Sequence, residues 1–371
     1  MLENNWMILA VFALGTVISI CLEKTKIGGR LGSAVIALFL GMLMINLKII
    51  PEWSDIHTVV FNYLIYLAIP LMLFKADFRR IFKVGHKLLA AFALGTIGTV
   101  LGSFIAPLIF NVGEESYKAY GMFAATYIGG SANLAAVGSG LGTSSSIWAA
   151  ISAADVVAYF IYFVFLMNMG YMAFFKKNYV SYQDIDHNLD KLQEVKGDDS
   201  INLINLAIVV TAAIVCCAFG DLMESILGFP GVLFSTTLAL IISATTKIST
   251  IADIGEKMGN FLMTLFLVVI GSTTILSEIM VSGPTMLLGA ITVLLVHCLV
   301  VFIGGKIFRL PLEYLIVASS ANIGGPTTAA PTATAYKWKE MVLPAVLLGL
   351  LGYILGTYLG YGVAYALQGI L

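Results

Sequence analysis

The amino-acid sequence predicts an all-α polytopic membrane protein built from two related halves, and three observations carry that expectation. Of the 371 residues, 59% are hydrophobic and only 11% are charged, and the mean hydropathy of +0.96 is too high for a water-soluble globule. Apolar runs of about twenty residues, the length that crosses hydrocarbon, recur about twelve times along the chain. A glycine-broken run also occurs twice, as Ile128-Gly129-Gly130-Ser131-Ala132-Asn133 and as Ile323-Gly324-Gly325-Pro326-Thr327-Thr328, each inside an apolar stretch.

In order, the apolar segments fall at 5–22, 31–47, 58–77, 88–110, 118–141 and 145–175, then at 201–219, 230–246, 258–280, 284–305, 313–336 and 340–368. The acidic Glu3 and the lack of a basic leader make the first a retained helix rather than a signal peptide. Residues 176–200, rich in Asp, Lys and Gln, form the one long hydrophilic linker, which divides a first membrane repeat (1–175) from a second (201–371). The halves echo each other elsewhere. Phe61-Asn62-Tyr63-Leu64 precedes Pro70 as Asn260-Phe261-Leu262 precedes Gly271-Ser272, and Leu31-Gly32-Ser33-Ala34 opens the second segment as Phe229-Pro230-Gly231-Val232 opens the eighth.

Loop charges assign sides, because Lys and Arg accumulate on cytoplasmic loops. Lys24, Lys26 and Arg30, then Arg79, Arg80, Lys83 and Lys87, place the first and third loops inside, with Glu114, Glu115 and the N-terminus outside. Lys247, Lys257, Lys306 and Arg309 are inside in the second half, with Asp221 and Glu224 outside. This labelling makes the two broken segments run in opposite directions, as inverted repeats demand. Six crossings per half would instead make the repeats parallel, so an odd separation, with eleven or thirteen crossings in all, is expected.

Within hydrocarbon a helix is interrupted only where protein or water satisfies the freed backbone groups. Gly129-Gly130 and Gly324-Gly325-Pro326 are such interruptions, since glycine adopts non-helical dihedrals and proline lacks an N–H. Thr126, Tyr127, Ser131, Asn133, Ser319, Ser320, Asn322, Thr327, Thr328 and Thr332 surround them with hydrogen-bonding groups. A paired break of this kind points to a transporter's central site at the bilayer midplane. Gly129, Gly130, Ser131, Asn133, Gly324, Gly325, Thr327 and Thr328 are the expected solute-binding residues.

Asp155 is the one acid deep in an apolar segment, where its charge costs on the order of 3 kcal/mol or more unless paired or solvated. It shares a helical face with Ser152, Tyr159 and Tyr162, and with Asn133 and Asn322 it forms the expected cation-coupling set. His297 reads as a packing hydrogen bond more readily than as a proton relay. The stripe Gly352, Gly356, Gly360 reads as tight packing beside the second broken helix, and Lys75 and Asp77 as interfacial. Cys21, Cys216, Cys217 and Cys298 match no metal or redox spacing.

Other classes find little support. A net charge of −1 without a basic cluster excludes a nucleic-acid partner. An intramembrane protease needs a Ser/His pair in a Gly-x-Ser-Gly setting or two membrane aspartates; Ala132 follows Gly129-Gly130-Ser131 and Asp155 stands alone, so no enzyme is expected.

The two broken runs, the segment Ala68-Ile69-Pro70-Leu71-Met72-Leu73-Phe74-Lys75-Ala76-Asp77-Phe78-Arg79-Arg80 and the Ala153-Ala154-Asp155 helix resemble the YjcL-like bacterial membrane proteins. That family in turn resembles the superfamily of cation/proton antiporters, bile-acid/sodium symporters, sodium/glutamate symporters and auxin carriers. The resemblance implies two inverted repeats with crossed discontinuous helices, a scaffold domain, a core domain that moves like an elevator, and a homodimer formed through the scaffold. It also implies a carboxylate on the helix after the first discontinuous one, where Asp155 lies; Ala154 stands in place of the antiporters' adjacent second acid. The resulting expectation is a multi-pass cell-membrane carrier of a small polar or anionic organic solute, coupled to Na⁺ or H⁺, with no cofactor other than Na⁺ as coupling ion. A cation/proton antiporter is the alternative.

Overall fold

A computed structural model describes residues 4–25, 28–75, 85–181, 202–273 and 276–370. Every regular element among them is a helix. In the first half these are α1 (Asn5–Glu23), α2 (Gly28–Asn46), α3 (Asp55–Leu73), α4 (His86–Ile109), α5 (Ser116–Gly129), α6 (Ser131–Gly140), α7 (Ser145–Met169) and the short α8 (Ala173–Asn178). In the second they are α9 (Leu203–Leu227), α10 (Gly231–Thr245), α11 (Asp253–Ser272), α12 (Leu276–Ile307), α13 (Leu312–Gly324), α14 (Pro326–Ala335) and α15 (Val342–Gln368). The chain is a multi-pass membrane protein, with eight helices among the described residues long and apolar enough to cross a bilayer. Most of the linker, with Lys26, Asp77, Arg79, Arg80 and Lys83, lies outside the described residues; its first part, 176–181, docks on the second half through Leu312 N–H to Val180 O (3.0 Å) and Ser181 Oγ to Glu313 (2.8 Å).

The broken segments do not run through the bilayer. Met122 and Gly138, eight residues either side of Gly130, touch each other. Lys118 Nζ donates to Gly142 O at 2.9 Å, and Ser144 Oγ hydrogen-bonds Glu115. Likewise Ser320 Oγ and Thr332 Oγ1, twelve residues apart across Gly325, are 3.1 Å apart. Each segment is therefore a re-entrant hairpin: α5 and α6 form hairpin 1, and α13 and α14 form hairpin 2. At 1.5 Å per residue the arms span about 15–21 Å, enough to reach mid-depth of a core about 30 Å thick.

Helix pairings fix the path of the chain. Gly95 and Gly98 of α4 lie against His297 of α12 and Gly102 against Val293, so these helices are antiparallel. So are α3 and α11, joined by His57 Nε2 to Ser272 Oγ (3.0 Å) at one end and the Lys75–Asp253 ion pair at the other. Gly121, Ala125 and Gly129 of α5 meet Ala364, Gly360 and Gly352 of α15, again antiparallel. At the far end of α7, the Gly170 N–H donates to Tyr336 Oη at 3.0 Å, which puts the base of hairpin 2 opposite that of hairpin 1.

Among the described residues the eight long helices together with α2 and α10 give ten crossings, five per half. An odd number per half inverts the second repeat, as the loop charges require, and the count of eleven or thirteen is corrected to ten because both broken segments return to the side they entered. Lys24, Lys75, Lys87, Lys176, Lys177, Lys247, Lys257, Lys306, Arg309 and Lys337 all fall at one end of the bundle and, among the described residues, only Lys48 and Lys118 at the other. By the charge rule the first end is cytoplasmic. Hairpin 1 enters from outside and hairpin 2 from the cytoplasm.

The halves interlock. In the scaffold, α2 packs on α11 so closely that a Cβ on Gly41 would strike the Val268 carbonyl, while α10 reaches α3 through Ser243 Oγ to Phe74 O (3.2 Å). Pro70 inside α3 leaves the Tyr66 carbonyl without its helical donor, and the Cys217 thiol of α9 caps it at 3.3 Å, a role that cysteine spacing does not reveal. The core comprises α4, α7, α12, α15 and the hairpins. At the outer base of hairpin 1, burial alone would raise the Glu115 carboxyl, but hydrogen bonds from Lys118 and Ser144 and the Lys118 charge hold it below its ordinary value. The clasp therefore adds stability above the ordinary carboxylate range and loses it as pH falls through the lowered value.

In a background free of the four native cysteines, Glu114→Cys and Ser144→Cys, which flank hairpin 1, should both react with an impermeant maleimide added outside intact cells. Phe308→Cys and Glu340→Cys, which flank hairpin 2, should react only after permeabilisation. Labelling of Glu114→Cys and Ser144→Cys from opposite sides would restore a through-running segment.

Candidate functional site

Both breaks depend on a glycine that no other residue could replace without strain. Gly130 has φ 89° and ψ 179°, and Gly325 has φ 64° and ψ −157°. These conformations are open essentially to glycine alone. The tips abut: a Cβ on Gly130 would lie 3.2 Å from the Gly324 carbonyl carbon, and one on Gly325 would lie 3.3 Å from Gly129 O. Freed carbonyls are met locally, that of Tyr127 by Thr99 Oγ1 (3.0 Å) and that of Gly324 by Thr328 Oγ1 (3.2 Å).

A cavity of about 590 Å³ runs from the tips, between core and scaffold, to the exposed Glu23 and Lys257 at the cytoplasmic end. The opposite side is sealed by Phe61 of α3, Trp148 of α7 and Phe266 of α11, whose ring centroids lie 5.3–5.9 Å apart. The arrangement is inward-facing.

Asp155, at mid-length of α7, lines the cavity with Thr126, Ser131, Gly324 and Thr328. Its Oδ1 is buried without a close hydrogen-bond partner, the Tyr127 and Thr126 hydroxyls being its nearest donors at looser geometry, and Ser152 Oγ one turn earlier on the same helix is also buried and unpaired. A carboxylate charge at this depth is costly unless a cation or proton meets it. Tyr159 and Tyr162 share the face expected for them, reaching hairpin 2 through Thr328 (3.1 Å) and Ser319 (2.9 Å).

The expected residues divide into two groups. Ser131, Gly324, Thr328 and Asp155 face the cavity, and Gly129, Gly130 and Gly325 form the junction of the tips. Thr327 opens α14, but its side chain lies outside the described set. Asn133 and Asn322 sit behind the tips. Asn133 accepts from Thr357 Oγ1 (2.6 Å) with its Nδ2 unpaired, and Asn322 donates to Thr96 Oγ1 (3.2 Å) with its Oδ1 unpaired. Neither lines the cavity with Asp155. The stripe Gly352, Gly356, Gly360 packs chiefly on hairpin 1, Gly352 also facing Ala321 O of hairpin 2, and Gly349 is the residue that meets Pro326. His297 is fully hydrogen-bonded inside the core.

The sequence reading missed the scaffold wall. Lys257, Asn260, Thr264 and Leu267 of α11 line the cavity opposite Asp155, and their three- and four-residue spacing, polar on an apolar helix, was the available signal. Tyr353 of α15 was missed because no pattern sets it apart. Among the described residues no three His, Cys, Asp or Glu side chains gather as a metal site.

A family profile described as "Protein of unknown function (DUF819)" matches residues 8–370. The Bacillus subtilis protein described as "Uncharacterized membrane protein YjcL" is 31% identical over 386 residues, covering 96% of each chain. Among solved structures, the sodium proton antiporter MjNhaP1 of Methanocaldococcus jannaschii superposes with a TM-score of 0.50 at 15% identity, covering 98% of this chain and 99% of that one. At that identity the likeness concerns the fold.

Gly130→Ala and Gly325→Ala should each destabilise the protein by about 1–3 kcal/mol, the cost of a side chain in these backbone regions, read as a lowered Tm in detergent. Gly362→Ala, where a Cβ meets open space, should leave Tm unchanged or slightly higher.

Proposed function

The chain belongs to the DUF819 family, and with its transporter-like fold as premise we propose that it is a secondary active transporter. It moves a small polar or anionic organic solute, coupled to Na⁺ or H⁺, by displacement of the hairpin-bearing core against the scaffold. The observation that carries this reading is the cavity of about 590 Å³, which ends where two oppositely inserted hairpin tips meet Asp155. That volume suits a small organic molecule better than a bare ion. Its polar lining, Ser131, Thr126, Thr328, Asn260 and Thr264, offers donors and acceptors without bulk.

In this reading Asp155 holds the coupling cation or proton, together with Tyr127, Thr126 and Ser152 rather than with Asn133 and Asn322. The tips Gly129, Gly130, Gly324 and Gly325, with Ser131, Thr327 and Thr328, hold the solute by side-chain hydroxyls and backbone groups. Asn133 and Asn322 brace the tips from behind.

Cation/proton antiport is the second reading, favoured by the buried Asp155 Oδ1, which has no close hydrogen-bond partner and lines the cavity. In that case the carboxylate exchanges its proton for the transported cation, and the wide cavity serves only as a water-filled access path.

Metabolites that raise Tm in Na⁺ relative to K⁺ would be supplied to proteoliposomes with an imposed Na⁺ or H⁺ gradient. Wild-type protein should accumulate at least one of them, and Asp155→Asn should abolish gradient-driven uptake while leaving Tm within a few degrees. Cation-induced proton release without any solute accumulation, lost in Asp155→Asn, would favour antiport. Accumulation unaffected by Asp155→Asn would overturn the coupling role.

A further inference from the structure

Behind the cavity, one buried ring connects both hairpins. His297 of α12 is fully buried, and its Nδ1 lies 2.9 Å from the Gly95 carbonyl and 2.9 Å from Thr99 Oγ1, both on α4. A carbonyl oxygen only accepts, so Nδ1 carries the proton. Nε2 is then an acceptor, and Ser319 Oγ of hairpin 2 donates to it at 2.9 Å. Ser319 in turn accepts from the Tyr162 hydroxyl of α7, at 2.9 Å. On the other side, Thr99 shares the one Nδ1–H with Gly95 O in a three-centre hydrogen bond and donates its own hydrogen to Tyr127 O, the carbonyl freed by the break in hairpin 1.

The chain of donors thus runs in one sense, from Tyr162 through Ser319 to Nε2, and from Nδ1 through Thr99 to Tyr127. In this sense the imidazole is neutral, with its proton on Nδ1. Close approach is built in, since a Cβ on Gly95 would lie 2.9 Å from His297 Cε1 and one on Gly98 would lie 2.8 Å from His297 Cα. Both ends of the chain reach the surroundings of Asp155: Tyr127 is its neighbour, and Tyr162 lies two helical turns along the same face of α7.

We propose that His297 is a positioning residue that binds hairpin 1, hairpin 2 and the Asp155 helix into one rigid unit, so that solute and coupling ion move together. The proposal rests on the transport reading above. His297 touches neither the cavity nor Asp155, and acts by keeping the two tips in register. When the tie is cut, each tip shifts independently, and the ion crosses without the solute or the solute without the ion.

Three variants separate the two arms of the tie. His297→Phe removes both; His297→Gln keeps an acceptor near Nε2 for Ser319 but loses the link to Thr99; Ser319→Ala keeps the link to Thr99 but loses the arm to hairpin 2, and with it the bond to Tyr162 of α7. Hydrogen exchange of the purified protein should show both tips exchanging roughly tenfold faster in His297→Phe, the effect of losing a buried hydrogen bond. The increase should be confined to hairpin 1 in His297→Gln and to hairpin 2 in Ser319→Ala. In proteoliposomes the ratio of solute accumulated to ion moved should fall in all three, while the KM for gradient-free solute exchange stays near wild type. Unchanged exchange, or faster exchange at an unchanged coupling ratio, would overturn the proposal. If the wild-type protein moves no solute, the transport reading fails, and the exchange pattern alone decides whether His297 ties the hairpins. Ser319→Ala, nearly isosteric, keeps the test open should the histidine variants fail to fold.

Discussion

A polypeptide that stops being helical inside a bilayer leaves amide and carbonyl groups with no water to meet them, so it must be enclosed by its own protein. This chain breaks twice, at Gly130 and Gly325, and the surrounding structure is arranged to make those breaks tolerable. The tips shelter each other. The stripe along α15 carries glycine where hairpin 1 presses on it, Thr99 and Thr328 cap freed carbonyls, and the Cys217 thiol does the same for the carbonyl exposed by Pro70. Small residues are found where backbones approach and hydroxyls where backbone groups are freed.

Because each broken segment folds back, it contributes no crossing, and that single fact sets the topology. Five crossings per half turn the second repeat upside down, which brings hairpin 1 from outside to meet hairpin 2 from the cytoplasm. The two halves are equivalent in design but not in surroundings. The cytoplasmic side of the tips opens into a wide cavity, whereas Phe61, Trp148 and Phe266 pack across the outer side. One carboxylate, Asp155, lies where the cavity ends, and α15, the counterpart of α7 in the second half, carries no acid.

Much of this was legible in the sequence. The apolar segments and the paired breaks follow from apolar runs and glycine placement, and the charges of Lys24, Lys87, Lys247 and Lys306 required inverted repeats even where a count of crossings did not. What the sequence could not supply was the path after each break. A helix of 24 residues with a glycine in the middle has the same composition whether it continues or reverses, and only contacts such as Met122 with Gly138 distinguish them. The same limit explains Asn133 and Asn322. Their residue types suit cation coordination, but rotation about the helix axis turns them away from Asp155, toward Thr357 and Thr96. The scaffold wall of Asn260 and Thr264 is not distinct in sequence, because isolated small polar residues on an apolar helix equally suit close helix packing.

The reversal of the chain at Gly325 is open to direct chemical measurement. Ser320 and Thr332 have side-chain oxygens 3.1 Å apart, whereas twelve residues of continuous helix would separate them by about 18 Å. With the native cysteines replaced, Ser320→Cys and Thr332→Cys should form an intramolecular disulfide on mild oxidation, identified by mass spectrometry of the linked peptides. Two free thiols under conditions that oxidise a surface pair would contradict the hairpin, and with it the meeting of the two tips.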